Sequence, residues 1–252
     1  MRNLKGRLLI GLVIAAFFGF KYCSQIEENP YTGKRQAISM TPDQEIQMGL
    51  QSREQMAAQH GGLYPNQEYQ AFVDRVGNKL VQNSIAKDTP YQYEFHLLAD
   101  QNTINAFALP GGQIFITYAL FAQLENEDQL AGVLGHEIGH VIGRHSAERI
   151  ANSELWQGLS TAGSVGGDMG GLVSQIGNGT LLKNGRGDEL ESDDLGVRFM
   201  LRSGYDPEEM IGVMQILKQA AGPNRVPEFQ STHPDPENRI EKIRESIKKY
   251  SL

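Results

Sequence analysis

The sequence predicts an α+β fold that is mainly helical and carries one small antiparallel sheet. Most segments after residue 41 place apolar residues at helical spacing, as Phe72, Val73, Val76 and Leu80 do. Short β-prone runs occur only between residues 92 and 118. Proline beside acidic residues opens several helical stretches, and glycine pairs close others.

Residues 1–23 read as a signal or membrane-anchor segment. Arg2, Lys5 and Arg7 precede an unbroken apolar run of 13 residues, Leu8 to Phe20, which Lys21 ends. At ~1.5 Å per residue the run spans roughly 20 Å, less than a ~30 Å hydrocarbon core. Arg7 and Lys21 can snorkel across the difference. No small-x-small cleavage site follows, because Phe17, Phe18, Phe20 and Tyr22 crowd the region. An uncleaved single anchor is the leading reading. The alternatives are a cleaved signal and a lipoprotein cut before Cys23, where Tyr22 stands in place of the small residue such a site requires. In each case the positive side stays in, and residues 24–252 lie outside the cytoplasm.

Residues 24–40 are polar, contain Asn29-Pro30 and Gly33, and read as a linker. The remainder, 41–252, is long enough for one good-sized domain and is expected to be one. Thr41-Pro42-Asp43-Gln44 is a capping box with proline at the first helical position. It opens a helix to about Gln59, stopped by Gly61-Gly62, and a second helix fits Gln67 to Val81. Residues 92–98, 103–109 and 113–118 read as strands, the last two joined by the turn Pro110-Gly111-Gly112. Glu127 to about His145 is an amphipathic helix bearing Leu130, Val133, Leu134, Ile138, Val141 and Ile142. The glycine-rich stretch 158–187 predicts poor packing and a mobile loop. Residues 189–203 read as helix, Asp206-Pro207 caps another, and Asp235-Pro236 opens a last one reaching about Tyr250.

Composition narrows the function classes. Thirty acids against 23 bases give a net charge of −7, so no broad basic surface forms and nucleic acid is excluded as the main partner. The single cysteine, Cys23, excludes a disulfide framework and a zinc site built on several cysteines. Any metal must be held by histidine and carboxylate. His136-Glu137-Ile138-Gly139-His140 has the form H-E-x-x-H. On a helix, positions i and i+4 stack on one face, so both imidazoles reach one ion. Glu137 is rotated by about 100° and can act on the attacking water without ligating the metal. Gly135 and Gly139 leave the neighbouring surface bare for close approach of another segment. His145 continues past Arg144, and is expected to cap the helix end or face solvent.

Two histidines leave the coordination incomplete, because a catalytic zinc takes three protein ligands and one open position. Positions 146 and 147 are Ser and Ala, so the third ligand comes from elsewhere. The acidic cluster 189–194 is the best source. Glu189 and Asp193 share a helical face, so one can ligate while the other hydrogen-bonds a ligand histidine. A solvated acidic face is the competing reading. His233, in Thr232-His233-Pro234, reads on spacing alone as a surface-turn histidine.

HEIGHVIGRH, then Glu189-Leu190-Glu191-Ser192-Asp193 with Gly196 three residues on, then His233-Pro234-Asp235-Pro236 with Arg239, resemble the HtpX and BepA type of zinc metallopeptidases. The CAAX prenyl proteases are distant relatives. Asn105 to Gly112 also resembles that family's strand before the active helix. The resemblance covers Thr41 to the C-terminus. It implies a gluzincin-like zincin fold holding one Zn2+ per chain, with Glu189 rather than Glu191 as third ligand. It makes Asp193 the hydrogen-bond partner of a ligand histidine, with Ser192 where the family usually has Ala. His233 matches a histidine that contacts the metal as a removable fourth ligand or faces the substrate carbonyl. Arg239 and Asn105 match an arginine of the site and an asparagine that contacts substrate backbone. Other members have several membrane spans or a helical-repeat domain. With one candidate span, this sequence resembles a small member tethered to the inner membrane on the periplasmic side of a bacterial envelope.

The expected function is therefore zinc-dependent endopeptidase activity on unfolded or damaged envelope proteins, with Glu137 as general base and His233 or Arg239 stabilising the oxyanion. Substrate would pair with the strand edge near Asn105–Leu109. If His233 ligates at rest it must move for activity, with the 158–187 stretch as its gate. The competing classes are a membrane-tethered chaperone with a structural zinc and a hydrolase of cell-wall peptides. Glu137 favours catalysis over the chaperone, because a structural site has no use for it.

Overall fold

The computed structural model describes residues 4–220, 233 and 238–251. The apolar N-terminal run forms helix α1 (Leu4–Ser24), in which only Gly11 is buried. Among the described residues it alone is long and apolar enough to cross a membrane. The segment read as a linker holds a hairpin instead, β1 (Ile26–Glu28) paired antiparallel with β2 (Arg35–Ala37). Its signals are turn chemistry. The Asn29 side chain accepts the amides of Tyr31 and Thr32 at 2.9 and 3.3 Å, and Gly33 takes φ 74°.

Two compact units make up the chain, Met1–Thr41 with His145–Gly185, and Pro42–Arg144 with Arg186–Leu252. In the first unit, α1 lies along helix α2 (His145–Gly167). The glycine-rich stretch is not a loop: α2 passes into helix α3 (Gly170–Arg202) through a two-residue break. Glycine serves close approach here. A Cβ at Gly158 would strike the Phe18 ring, and one at Gly11 would lie 2.8 Å from the Ala162 carbonyl oxygen. The stretch thus loses its role as a mobile gate.

The second unit opens with helix α4 (Pro42–Gln59), ended by Gly61 and Gly62 at φ 79° and 84°. Helix α5 (Gln67–Gln82) is capped by the Asn66 side chain, which accepts the amides of Glu68 and Tyr69. Its face of Val73, Val76, Gly77 and Leu80 is buried. A three-stranded sheet follows in the order β3 (Glu94–Leu98), β5 (Gln113–Thr117), β4 (Ala106–Ala108). The sheet is mixed rather than wholly antiparallel. β4 and β5 are antiparallel across the Pro110 turn, whereas β3 and β5 run parallel. The chain reverses twice between them and returns through the middle, so β5 is buried along its whole length.

The two sheet edges differ. The Gln70 carboxamide covers β3, donating to the Phe95 carbonyl at 2.8 Å and accepting the Leu97 amide at 2.9 Å. At β4 the ladder uses Asn105, Phe107 and Leu109, so Ala106 and Ala108 turn their amides and carbonyls outward. After the short helix α6 (Tyr118–Phe121) comes helix α7 (Glu127–Ile142), almost wholly buried, with Leu130, Leu134, Ile138 and Ile142 in the core.

Helix α7 stops at Gly143, earlier than its apolar pattern predicts. Arg144 turns left-handed at φ 57°, and its buried guanidinium pairs with buried Glu45 at 3.1 Å. His145 therefore does not cap this helix or face solvent. It is buried and begins the next one. Helix α8 (Glu209–Ala220) follows a turn in which Asp206 accepts the Glu208 amide, and helix α9 (Arg239–Tyr250) ends the described chain. The predicted opening of the last helix at Asp235-Pro236 lies outside the described residues.

Candidate active site

The Asn126 side chain starts α7 by accepting the Gln129 amide. Fourteen residues into the helix sequence the H-E-x-x-H motif ends at His140, with His136 and His140 one turn apart. The C-terminal part of α3 lies against this helix at backbone distance. A Cβ on Gly139 would stand 3.0 Å from Ser192 Cα, and one on Gly196 would stand 3.3 Å from the His136 nitrogen. These bare positions carry Glu189 and Asp193 to the histidines. Ser192 and Gly196 are the small residues the approach requires, so Ser192 fits where a bulkier residue would not.

Four side chains converge. His136 Nε2 lies 3.0 Å from His140 Nε2, 3.3 Å from His233 Nδ1 and 3.3 Å from a Glu189 oxygen. The other Glu189 oxygen is 3.3 Å from His140 Nε2 and 3.1 Å from His233 Nδ1. His136 Nδ1 donates to Asp193 at 2.8 Å, which leaves its Nε2 as a lone pair aimed into the cluster. Arg239 grips Asp193 from the far side with two bonds, 2.7 and 2.9 Å, and its third nitrogen is 3.3 Å from Glu189. His233 Nε2 contacts the outward carbonyl of Ala106, at 3.2 Å, on the open sheet edge.

The donor set fits a cation. Four ligand atoms at ~2.0–2.1 Å from one tetrahedral ion lie about 3.3–3.4 Å apart. The observed separations of 3.0 to 3.3 Å match that spacing. Lone pairs and a carboxylate facing one another at this range repel unless positive charge lies between them. The field agrees. Burial opposes charge on His136, yet its bonds to Asp193 and Glu189 prevail and push its pKa up to about 9. Burial also works to raise Glu189 and Asp193, but His233 and His140 around the first, and Arg239 and His136 around the second, hold both carboxyls below their ordinary range.

Glu137 differs from these. Both carboxylate oxygens are buried with no hydrogen-bond partner among the described residues, and His233 Nε2 lies 3.5 Å from one of them. Burial is the main cause that pushes its pKa up, against the pull of His233 and His136. Beside it runs a narrow apolar pocket lined by Val133, Met210, Val213 and Met214.

The structure thus brings together His136, Glu137, His140, Glu189, Asp193, His233 and Arg239. Asn105 is buried at the head of β4, its backbone tied to Thr117 and one residue from the carbonyl that His233 meets. Glu191 is half-buried and outside the converging set. Sequence reasoning placed Gly196 in the motif but missed the Ala106 carbonyl and the Met210–Met214 pocket wall. Gly196 was visible as a small residue one helical turn from Ser192, whereas backbone carbonyls leave no signal in composition.

An H-E-x-x-H helix faced by a second helix bearing Glu and Asp four positions apart is the arrangement of a metallopeptidase. Residues 67–247 match Peptidase family M48, and the chain belongs to that family as a metalloendopeptidase. It is 31% identical over 255 residues to the beta-barrel assembly-enhancing protease of Escherichia coli K12, covering 95% of this chain and 52% of that protein. The Yersinia pestis protein of the same name is 32% identical over 228 residues, covering 85% of this chain and 46% of its own length. The mitochondrial metalloendopeptidase OMA1 of Schizosaccharomyces pombe is 29% identical over 249 residues, covering 97% of this chain and 73% of that protein. The chain spans about half the length of the two bacterial relatives.

Proposed function

We propose that the chain is a zinc-dependent endopeptidase acting on unfolded or damaged proteins of the bacterial envelope, with α1 as its tether to the inner membrane. The observation that carries this reading is the convergence of His136, His140 and Glu189 beside buried Glu137, whose oxygens have no hydrogen-bond partner among the described residues. His136, His140 and Glu189 would hold one ion. Zinc is favoured because two imidazoles and a carboxylate suit it. A bound ion would supply Lewis acidity to the scissile carbonyl and to the attacking water. The names of the bacterial relatives speak of β-barrel assembly, and the open strand edge at β4 suits an extended, unfolded substrate chain.

The remaining work falls to the chain. Glu137 takes the proton of the attacking water and returns it to the leaving amine; its raised pKa suits both directions. Asp193 fixes the His136 tautomer, and Arg239 acts through Asp193 and Glu189, which it binds. A substrate strand adds to the open edge at Ala106 and Ala108, with Asn105 near its end, because Gln70 covers the opposite edge of the sheet. His233 occupies that edge at Ala106 and contacts Glu189, so it leaves both before substrate binds and then faces the scissile carbonyl.

The test is metal content together with casein cleavage on the full chain, wild type against Glu137→Gln. About one zinc per chain in both proteins, with cleavage reduced by roughly 10²-fold or more in the variant, supports the reading. Equal cleavage by both would sink the role of Glu137, and absence of bound metal in folded protein would sink the site.

A further inference from the structure

The hairpin formed by α2 and the first part of α3 has no part in the chemistry above, yet its charge pattern is unusual. From Leu155 to Leu182 it contains one charged residue, Asp168, at the tip. That charge is paired with Arg7 at 2.9 Å. At the other end of the same contact Lys21 pairs with Glu154 at 2.6 Å, and the Tyr22 hydroxyl donates to Asn152 at 2.8 Å. Arg7 and Lys21 are 14 positions apart, and so are Glu154 and Asp168. The two antiparallel helices therefore have charge-free legs of equal length, about 21 Å each at 1.5 Å per residue. The returning leg, from Asp168 to Lys183, is one residue longer. All three legs end in charge, and the ion pairs set the ends of the first two at matching levels.

Small and hydroxyl side chains make part of the packing inside this unit, with the Phe18 ring seated on Gly158 and Trp156 on Gly177, and the outer face mixes apolar residues with Gln157, Gln175 and Asn178. Ser160 Oγ lies 2.8 Å from Ser174 Oγ and donates to the Gly170 carbonyl, and Gly163 faces the Gly170 nitrogen. On the exposed side Thr161 and Thr180 return their hydroxyls to carbonyls one turn back, at 2.9 and 3.0 Å, which satisfies them within the helix. Arg7 Nε donates to the Val165 carbonyl near the end of α2. Meanwhile Met169 is 55% exposed and Leu172 and Ile176 are each 53% exposed, as Leu12 of α1 is at 68%. Small and hydroxyl residues between helices with apolar residues outside is the pattern helices adopt in lipid. The hairpin is not apolar enough to cross on its own, since α1 alone meets that test. Its first helix, α2, lies along α1, so the hairpin can enter as a companion.

We infer that the hairpin Leu155–Leu182 enters the hydrocarbon layer alongside α1, so that the anchor is a three-legged helical unit and its occupant surface is lipid acyl chain. This rests on the proposed reading of α1 as a membrane anchor. The Arg7–Asp168 pair then lies at the headgroup level of the side that holds the N-terminal basic residues.

Single-cysteine proteins, made in a Cys23→Ser background with Leu12→Cys, Leu172→Cys, Ile176→Cys or Glu54→Cys, would carry an environment-sensitive fluorophore in reconstituted bilayers. Quenching by doxyl-labelled acyl chains and by aqueous iodide is then compared. The expected result is strong doxyl quenching and several-fold weaker iodide quenching at Leu172 and Ile176, as at Leu12, with the reverse at Glu54. Iodide quenching at both hairpin positions while Leu12 stays in lipid overturns the inference and leaves α1 a lone anchor. Iodide quenching at Leu12 as well removes the anchor reading together with the inference. Protection from both quenchers at Leu172 and Ile176 means that protein, such as a second copy of the chain, covers the face, and this too overturns it.

Discussion

Asp193 ties two sides of the candidate site together. It accepts from His136 at 2.8 Å and receives two bonds from Arg239, all of them buried. Asp193→Asn keeps the shape but removes the charge that fixes the imidazole. Zinc affinity should fall by about 10–100-fold, measured by competition with a chromophoric chelator, while the far-ultraviolet spectrum is unchanged. Asp193→Ala also strands the Arg239 charge, so it should cost ~3–5 kcal/mol in urea unfolding. Asp100, away from the ligands, gives a pH prediction. Burial works against its ionisation, but bonds from Thr103, Asn102 and His60 outweigh it and hold the carboxyl at about 2 against 3.8. A folded pKa below the unfolded one adds stability above the unfolded value, and that stability is lost as pH falls toward the folded one. Wild type should therefore lose stability between about pH 4 and pH 2 more steeply than Asp100→Asn, and a pH titration of the urea midpoint reads the difference.

At the scale of elements, the contact between α7 and α3 decides whether the ligands meet. The Gly139 position has 3.0 Å to Ser192 Cα and to its carbonyl oxygen, and both are backbone atoms that yield only if the helix moves. Gly139→Val should separate the helices and lose zinc binding, costing ~1–3 kcal/mol although valine is the better helix former. Retention of one zinc per chain in that variant would show that the approach is not tight. Such contacts were legible in outline. The i, i+4 repeats of His136 with His140 and Glu189 with Asp193 follow from helix geometry, so spacing alone nominated them. His233 reached the cluster only through a chain separation of 97 residues from His136, which no local pattern encodes. The parallel pairing of β3 with β5 was hidden likewise, because it depends on where the chain goes after β4. Glycine misled in one place. Within 158–187 it was read as loop chemistry, but Gly158 and Gly166 are contact positions on a helix that packs against another.

For the molecule as a whole, the site is a long-range clasp within one of two units. Its bonds join residues 57 apart for His136 with Asp193, 46 for Asp193 with Arg239 and 44 for Glu189 with His233. All these residues belong to the unit Pro42–Arg144 with Arg186–Leu252. An ion held by them binds the folded state and not the unfolded chain, so it stabilises by RT ln(1 + [L]/Kd), about 2.7 kcal/mol at a hundredfold excess over Kd. Closing loops of this length is also where a clip acts most on the unfolded ensemble. Helices α1 and α2 contain none of the donors, and their contact is made by Gly11, Gly158 and the two flanking ion pairs. Chelation should therefore act unevenly. Hydrogen exchange with and without a zinc chelator should show lost protection across Glu127–Ile142 and residues 186–202, by a common free energy of about 2–3 kcal/mol. Amides of residues 155–165 should keep their rates. The Glu137→Gln protein should respond to the chelator as wild type does, because Glu137 is assigned to the proton and not to the ion. Uniform loss of protection through both units would instead mean that the whole chain unfolds as one cooperative body, with the metal as its common clasp.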